Sequence, residues 1–170
     1  MAFLYLTFLL QIYQVTFQML KSIICDTSCF IVLSKIGELE LLQKIYNQII
    51  TTPEILEEFG KRLPEWVMIK EVTDNYRQQI LEMQIDKGES SAIALALEIP
   101  DSILILDDNK ARKIAQNLKL KFTGTIGVII KAKLLGIIPS VKPYFEKIKE
   151  TNFRISPEIE LQGLKEAKEY

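Results

Sequence analysis

No histidine occurs anywhere in these 170 residues. That single absence removes the Ser-His-Asp triad, the Cys-His pair, the imidazole metal ligand and any histidine acid/base pair. Cysteine is scarce too: the two present, Cys25 and Cys29, cannot complete a zinc site without histidine. A disulfide over so short a span is one reading of them. Two small buried hydrophobes is the better one, because the surrounding residues read as a strand passing into a helix. No repeat, low-complexity tract or Gly/Ser linker divides the chain. Catalysis, if there is any, therefore rests on carboxylates, lysines, hydroxyls or a metal held by oxygen ligands.

What is present suits one domain of ordinary size. Apolar residues make up 48% of the sequence, enough to bury a continuous core without disulfides or a structural metal. The first eighteen residues stand apart, since MAFLYLTFLLQIYQVTFQ carries no charge. The segment lacks the basic flank and the small-residue cleavage site of a secretory signal. Gln11, Gln14 and Gln18 make it too polar for a membrane span, so no stable membrane insertion is expected. Residues 1–18 read as an extra apolar segment ahead of a start at Met19, or alternatively as a membrane-surface or partner-binding helix. Residues 19–170 read as a single domain, with a cytoplasmic location expected.

The net charge is only −1, but it is unevenly spread. Glu38 to Asp108 holds 15 acidic and 6 basic residues, whereas Asn109 to Lys149 holds 10 basic residues and one acid, Glu146. One part of the chain thus suits cations and the other phosphates. For any single lysine, a solvated helix face is the simpler account.

Short apolar runs alternate with longer helical patterns, which predicts a mainly parallel sheet covered on both faces. Ser22–Cys25, Gln48–Thr51, Trp66–Val72, Ile103–Leu106 and Lys119–Phe122 read as strands. Ser28–Tyr46 is amphipathic. Thr52 caps a helix that opens on Pro53 and runs to Phe59. Further helices are expected over Asn75–Gln84, Glu89–Glu98, Asn109–Asn117 and Thr125–Leu135, the last closed by Gly136. Pro139 and Pro157 are each expected to open one more.

Two of these strands run into aspartate: SIIC into Asp26, and ILIL into Asp107 and Asp108. Ligands of open parallel sheets bind beyond the carboxyl ends of the strands, near a switch in strand order. One such acid is commonly a helix cap; two after apolar runs suggest a shared ion. Glu89 lies in the first turn of an apolar helix, where a carboxylate also complements the helix dipole by roughly 0.3–1 kcal/mol. Glu54 and Glu58 share a helical face, and their repulsion costs roughly 0.2–0.5 kcal/mol unless a cation relieves it. GTIGVIIK lacks the spacing of a P-loop, and its glycines suit a helix start and close packing.

Taken as a set, Asp-Thr-Ser after the first strand, PEILEE, Gly-Glu before an Ala-rich helix, and LDD after a strand resemble the PIN domain. The similarity is greatest to VapC-like toxins and their relatives with a DxGE element and an LIDD-type strand end. It runs from Met19 to at least Ile138. The resemblance implies an α/β, three-layer αβα sandwich and an endoribonuclease dependent on Mg²⁺ or Mn²⁺. It also implies RNA as substrate, a small antitoxin as partner and a homodimer as a candidate assembly. Carried across, the acids are Asp26, Glu58, Glu89 and Asp107, with Asp108 assisting at the metal and Thr27 and Ser28 supporting Asp26. Glu89 stands where the commonest toxins carry Asp. Lys110, Arg112 and Lys113 follow the last acid and are expected to hold RNA phosphate.

Hard divalent cations want such oxygen ligands, and a pair of them suits in-line displacement at phosphorus. Four carboxylates together without a cation would repel, so the site is expected to be metal-filled or partly protonated. A catalytically idle interaction module with the same fold is the competing reading. A phosphatase of another α/β family lacks support, because Asp26 is followed by Thr27 and Ser28 rather than by a DxDx[TV] pattern.

Overall fold

The computed structural model describes residues 21–170; the expected boundary at Met19 and the segment 1–18 lie outside the described residues. Five three-residue strands form one fully parallel sheet: β1 (Ile23–Cys25), β2 (Ile49–Thr51), β3 (Val67–Ile69), β4 (Ile103–Ile105) and β5 (Lys121–Thr123). Their order is β3-β2-β1-β4-β5. The chain thus builds outward from β1 on one side, then crosses back to build outward on the other. The switch falls between β1 and β4, whose registers align Cys25 with Ile105. Loops leaving two such neighbours diverge, which opens a crevice at their carboxyl ends.

Helices complete a three-layer α/β sandwich, as the sequence led us to expect. They are α1 (Thr27–Lys35), α2 (Leu41–Tyr46), α3 (Pro53–Phe59), α4 (Asn75–Glu82), α5 (Lys87–Glu98), α6 (Asn109–Asn117), α7 (Thr125–Leu134), α8 (Lys142–Lys149) and α9 (Pro157–Glu166). The main core wraps the sheet and includes Ile24, Phe30, Leu33, Ile55, Ile93, Leu95 and Leu104. A second core joins Val32 and Leu41 to Ile129, Ile138, Val141, Phe145 and Ile148, fastening the C-terminal helices. Every residue of α5 from Ser90 to Ala96 is buried. Such a helix has no solvent face, and α5 is pressed against β1, β4, α3 and α4.

Several boundaries differ from the sequence reading. The amphipathic run Ser28–Tyr46 is two helices, because the chain turns at Gly37 with φ 73°, a left-handed value that favours glycine. Trp66–Val72 contributes only Val67–Ile69 to the sheet, its pairing ending where β2 ends. Lys119 has φ 58° and turns the chain, so β5 begins at Lys121. Pro139 does not open a helix: its carbonyl accepts from Lys133 Nζ at 2.7 Å, and α8 starts at Lys142 with Pro143 in its first turn. The missing N–H of Pro143 costs nothing there, because first-turn amides have no partner within the helix. Pro157 does open α9, behind a Ser156 cap.

Candidate active site

Asp26 is the residue after β1, and its position follows from the local sequence. Ile23, Ile24 and Cys25 are all buried, so the acid arrives at the sheet edge with no surface of its own. The Asp26 amide donates to Ile105 O at 3.1 Å, continuing the ladder one step beyond the strand. Its backbone is extended, at φ −80° and ψ 163°, and it stands at the N-cap of α1 without closing a side-chain capping bond. The residue is 2% exposed. Its Oδ1 is buried and has no hydrogen-bond partner. An orphaned carboxylate oxygen is costly in a protein interior unless a proton or a cation completes it.

Asp107 lies two residues beyond β4 and is held differently. Its Oδ1 accepts the Thr125 amide at 2.9 Å, and its Oδ2 accepts the Thr125 hydroxyl. The Arg112 guanidinium lies 3.6 Å from Oδ1, and Arg112 Nε donates to Leu106 O at 2.6 Å. Asp108 caps α6, its Oδ1 accepting the amides of Lys110 and Ala111 at 2.8 Å each.

Glu58 comes from the last turn of α3, one helical turn after Glu54. Its Oε2 accepts the Thr27 hydroxyl at 2.8 Å. The approach depends on Gly88, because a Cβ there would collide with Glu58 Oε2 and press to 3.3 Å of Thr27 Oγ1. Gly88 also carries the chain into Glu89, in the first turn of α5. That turn is fixed from below: Ser91 donates to Gly88 O at 2.7 Å and shares a 2.6 Å hydrogen bond with the Thr52 hydroxyl. Glu54 turns aside, its Oε1 accepting from Gln78 Nε2 at 3.0 Å.

The electrostatics follow from burial and like charge. Burial pushes the Asp26 carboxyl up to about 7, and Glu58 and Asp107 add to the rise, while the amides of Thr27 and Ser28 pull the other way. Burial also lifts Glu89 to about 7, reinforced by Asp108, Asp26 and Asp86. Asp107 is raised by burial, against its two Thr125 hydrogen bonds and the charge of Arg112. Like charge thus adds to burial at Asp26, from Glu58 and Asp107, and at Glu89, from Asp26, Asp86 and Asp108.

The expected residues differ in their surroundings. Thr27 supports Glu58 through its side chain, while the backbone of Ser28 only tempers the rise at Asp26. Lys110 and Lys113 are exposed on α6, whereas Arg112 is half-buried and turned back to the strand end. Sequence reasoning missed Thr125 and Gly88 as parts of the site. Gly-Thr and Gly-Glu at two helix starts were the available signal, but each looked sufficient as a helix-opening pair. Among the described residues, no three His, Cys, Asp or Glu side chains converge as a ready metal-ligand set. The donor chemistry nevertheless fits a hard divalent cation. All donors are oxygen, Asp26 Oδ1 is unsatisfied, and burial with like charge raises two carboxyls to about 7.

A family model described as a PIN domain matches residues 22–169. No curated protein and no solved structure matches the chain.

Proposed function

The chain belongs to the PIN-domain family, generally a family of nucleases, and from that premise we propose that it is an endoribonuclease dependent on Mg²⁺ or Mn²⁺. The observation that carries the reading is the buried, unpartnered Oδ1 of Asp26, on a carboxyl raised by burial and by the charges of Glu58 and Asp107. Asp26, Glu89 and Asp107 would hold the ion, with Asp108 at the rim and Glu58 completing the acidic set. A bound divalent cation would activate the attacking water and stabilise the leaving oxygen. The protein's own part is to bury the acids, hold Asp107 in one orientation and seat Glu58 against Thr27. Lys110 and Lys113, exposed on the helix that follows Asp108, place the RNA backbone.

A small antitoxin and a second copy of the chain are the proposed protein partners, and residues 1–18 are proposed to lie outside the domain. Among the described residues, no helix is long and apolar enough to cross a membrane. The deciding experiment is cleavage of bulk RNA with Mn²⁺, with EDTA and by Asp107→Asn. Cleavage should require the ion and vanish in the variant. Cleavage that survives EDTA or Asp107→Asn would overturn the reading.

A second reading, an idle PIN-like module that binds a partner protein, draws on the lack of three converging ligands. It expects no cleavage with any divalent ion.

A further inference from the structure

We propose that Thr125 and Arg112 are positioning residues that lock Asp107 for the ion, and that Arg112 acts on the protein rather than on RNA. The inference rests on the metal-site reading above and assigns residues which that reading leaves without a task.

The two strand-end acids are treated in opposite ways. Asp26 Oδ1 has no partner, while both oxygens of Asp107 are engaged. Thr125 opens α7 and gives Asp107 two donors from one residue, its amide to Oδ1 and its hydroxyl to Oδ2. Thr125 is fully buried, so no water replaces a lost hydroxyl without rearrangement. Each carboxylate oxygen keeps a further lone pair after accepting one hydrogen bond, so the clasp orients Asp107 without blocking it as a ligand.

Arg112 has three anchors. Its Nε donates to Leu106 O at 2.6 Å, its Nη2 lies 3.6 Å from Asp107 Oδ1, and its guanidinium stands 6.0 Å from the centre of the Phe122 ring. The planar fork of arginine spans the adjacent carbonyl and carboxylate, which a lysine ammonium cannot do. Gly124 completes the arrangement, because a Cβ there would strike both the Arg112 guanidinium and Asp107 Oδ1. Its φ of −125° is open to any residue, so space, rather than backbone freedom, accounts for the glycine. A phosphate-seeking arginine would be expected free and exposed, as Lys110 and Lys113 are; Arg112 is fixed at the strand end.

The test measures Mn²⁺ affinity by calorimetry on the full chain without RNA. Thr125→Val and Arg112→Lys should each weaken binding, on the order of the 10–100-fold seen when the partners of metal ligands are removed. Thr125→Ser should restore most of the affinity. In EDTA, the salt dependence of RNA binding should be unchanged in Arg112→Ala but shallower by about one unit in Lys110→Ala. Wild-type Mn²⁺ affinity in both Thr125→Val and Arg112→Lys would overturn the clasp. A shallower salt slope in Arg112→Ala would return Arg112 to the RNA. If Thr125→Val fails to fold, Arg112→Lys still decides. Failure of the metal reading is recognised separately: the wild-type chain itself would bind no Mn²⁺, and the proposal would fall with it.

Discussion

The Thr27 hydroxyl donates to Glu58 Oε2 across 2.8 Å, joining the first residue of α1 to the last turn of α3. Gly88 lies against both partners, with Thr27 Oγ1 3.3 Å from the place a Cβ would take. The bond joins residues 31 positions apart, so it exists only once α1, α3 and α5 have docked.

Gly88→Ala tests that docking. The added methyl meets the far end of the flexible Glu58 side chain, which can swing away, and alanine is the better helix former by roughly 0.5–1 kcal/mol. Stability in urea should therefore change by no more than about 1 kcal/mol. RNA cleavage should fall sharply, because Glu58 is displaced. A variant that cleaves like the wild type would remove Glu58 from the proposed site.

Divalent ions should raise the thermal midpoint, because they act on the native cluster and relieve its repulsion. Asp26→Asn should raise the midpoint in EDTA, by removing a buried charge with an unsatisfied oxygen, and should abolish most of the increment that Mn²⁺ gives. Differential scanning fluorimetry over an Mn²⁺ titration measures both. A wild-type midpoint indifferent to saturating Mn²⁺ would count against the metal.

The raised carboxyls make a signed prediction for pH. Asp26 and Glu89 titrate near 7 in the folded chain and near their ordinary values, 3.8 and 4.5, when unfolded. Between these limits the native state holds protons that the unfolded state has released. Stability without metal should therefore fall as pH rises from about 4.5 to 7. Saturating Mn²⁺ should flatten or reverse the trend, since the ion replaces the protons. Denaturant midpoints in EDTA that rise through this window would contradict the assignment.

Lys110 and Lys113 should divide binding from chemistry. Each alanine variant should raise KM and make binding less salt-sensitive by about one unit of slope, with kcat near wild type. A fall in kcat at unchanged KM would place these lysines at the chemistry instead.

Much of the fold was legible because it depends on local pattern. Runs such as IIC and ILI must be buried on both faces, and helical runs between such strands dictate parallel pairing. Thr52-Pro53 marked a helix start that the structure keeps, with Thr52 accepting the Ile55 amide. Pro139 misled for the same reason that Pro53 informed: a proline can open a helix or sit in a loop, and only its neighbours decide. The strands near Trp66 and Lys119 have different ends from those expected, because β3 stops where its partner β2 stops and the left-handed turn at Lys119 delays β5 to Lys121.

The sequence by itself determined which groups are on offer: carboxylate oxygens, no imidazole, acids at strand ends and lysines just beyond the last of them. Tertiary structure decided how those acids are used. Asp26 is open and Asp107 is clasped because α7 brings Thr125 from eighteen positions away, and no local propensity records so distant a partner. Arg112 looked like its neighbours Lys110 and Lys113 in sequence, yet it faces inward because Leu106 O and Phe122 lie on its side of α6. A one-dimensional pattern fixes which face of a helix is apolar; which carboxylate a donor reaches is fixed only when the layers pack.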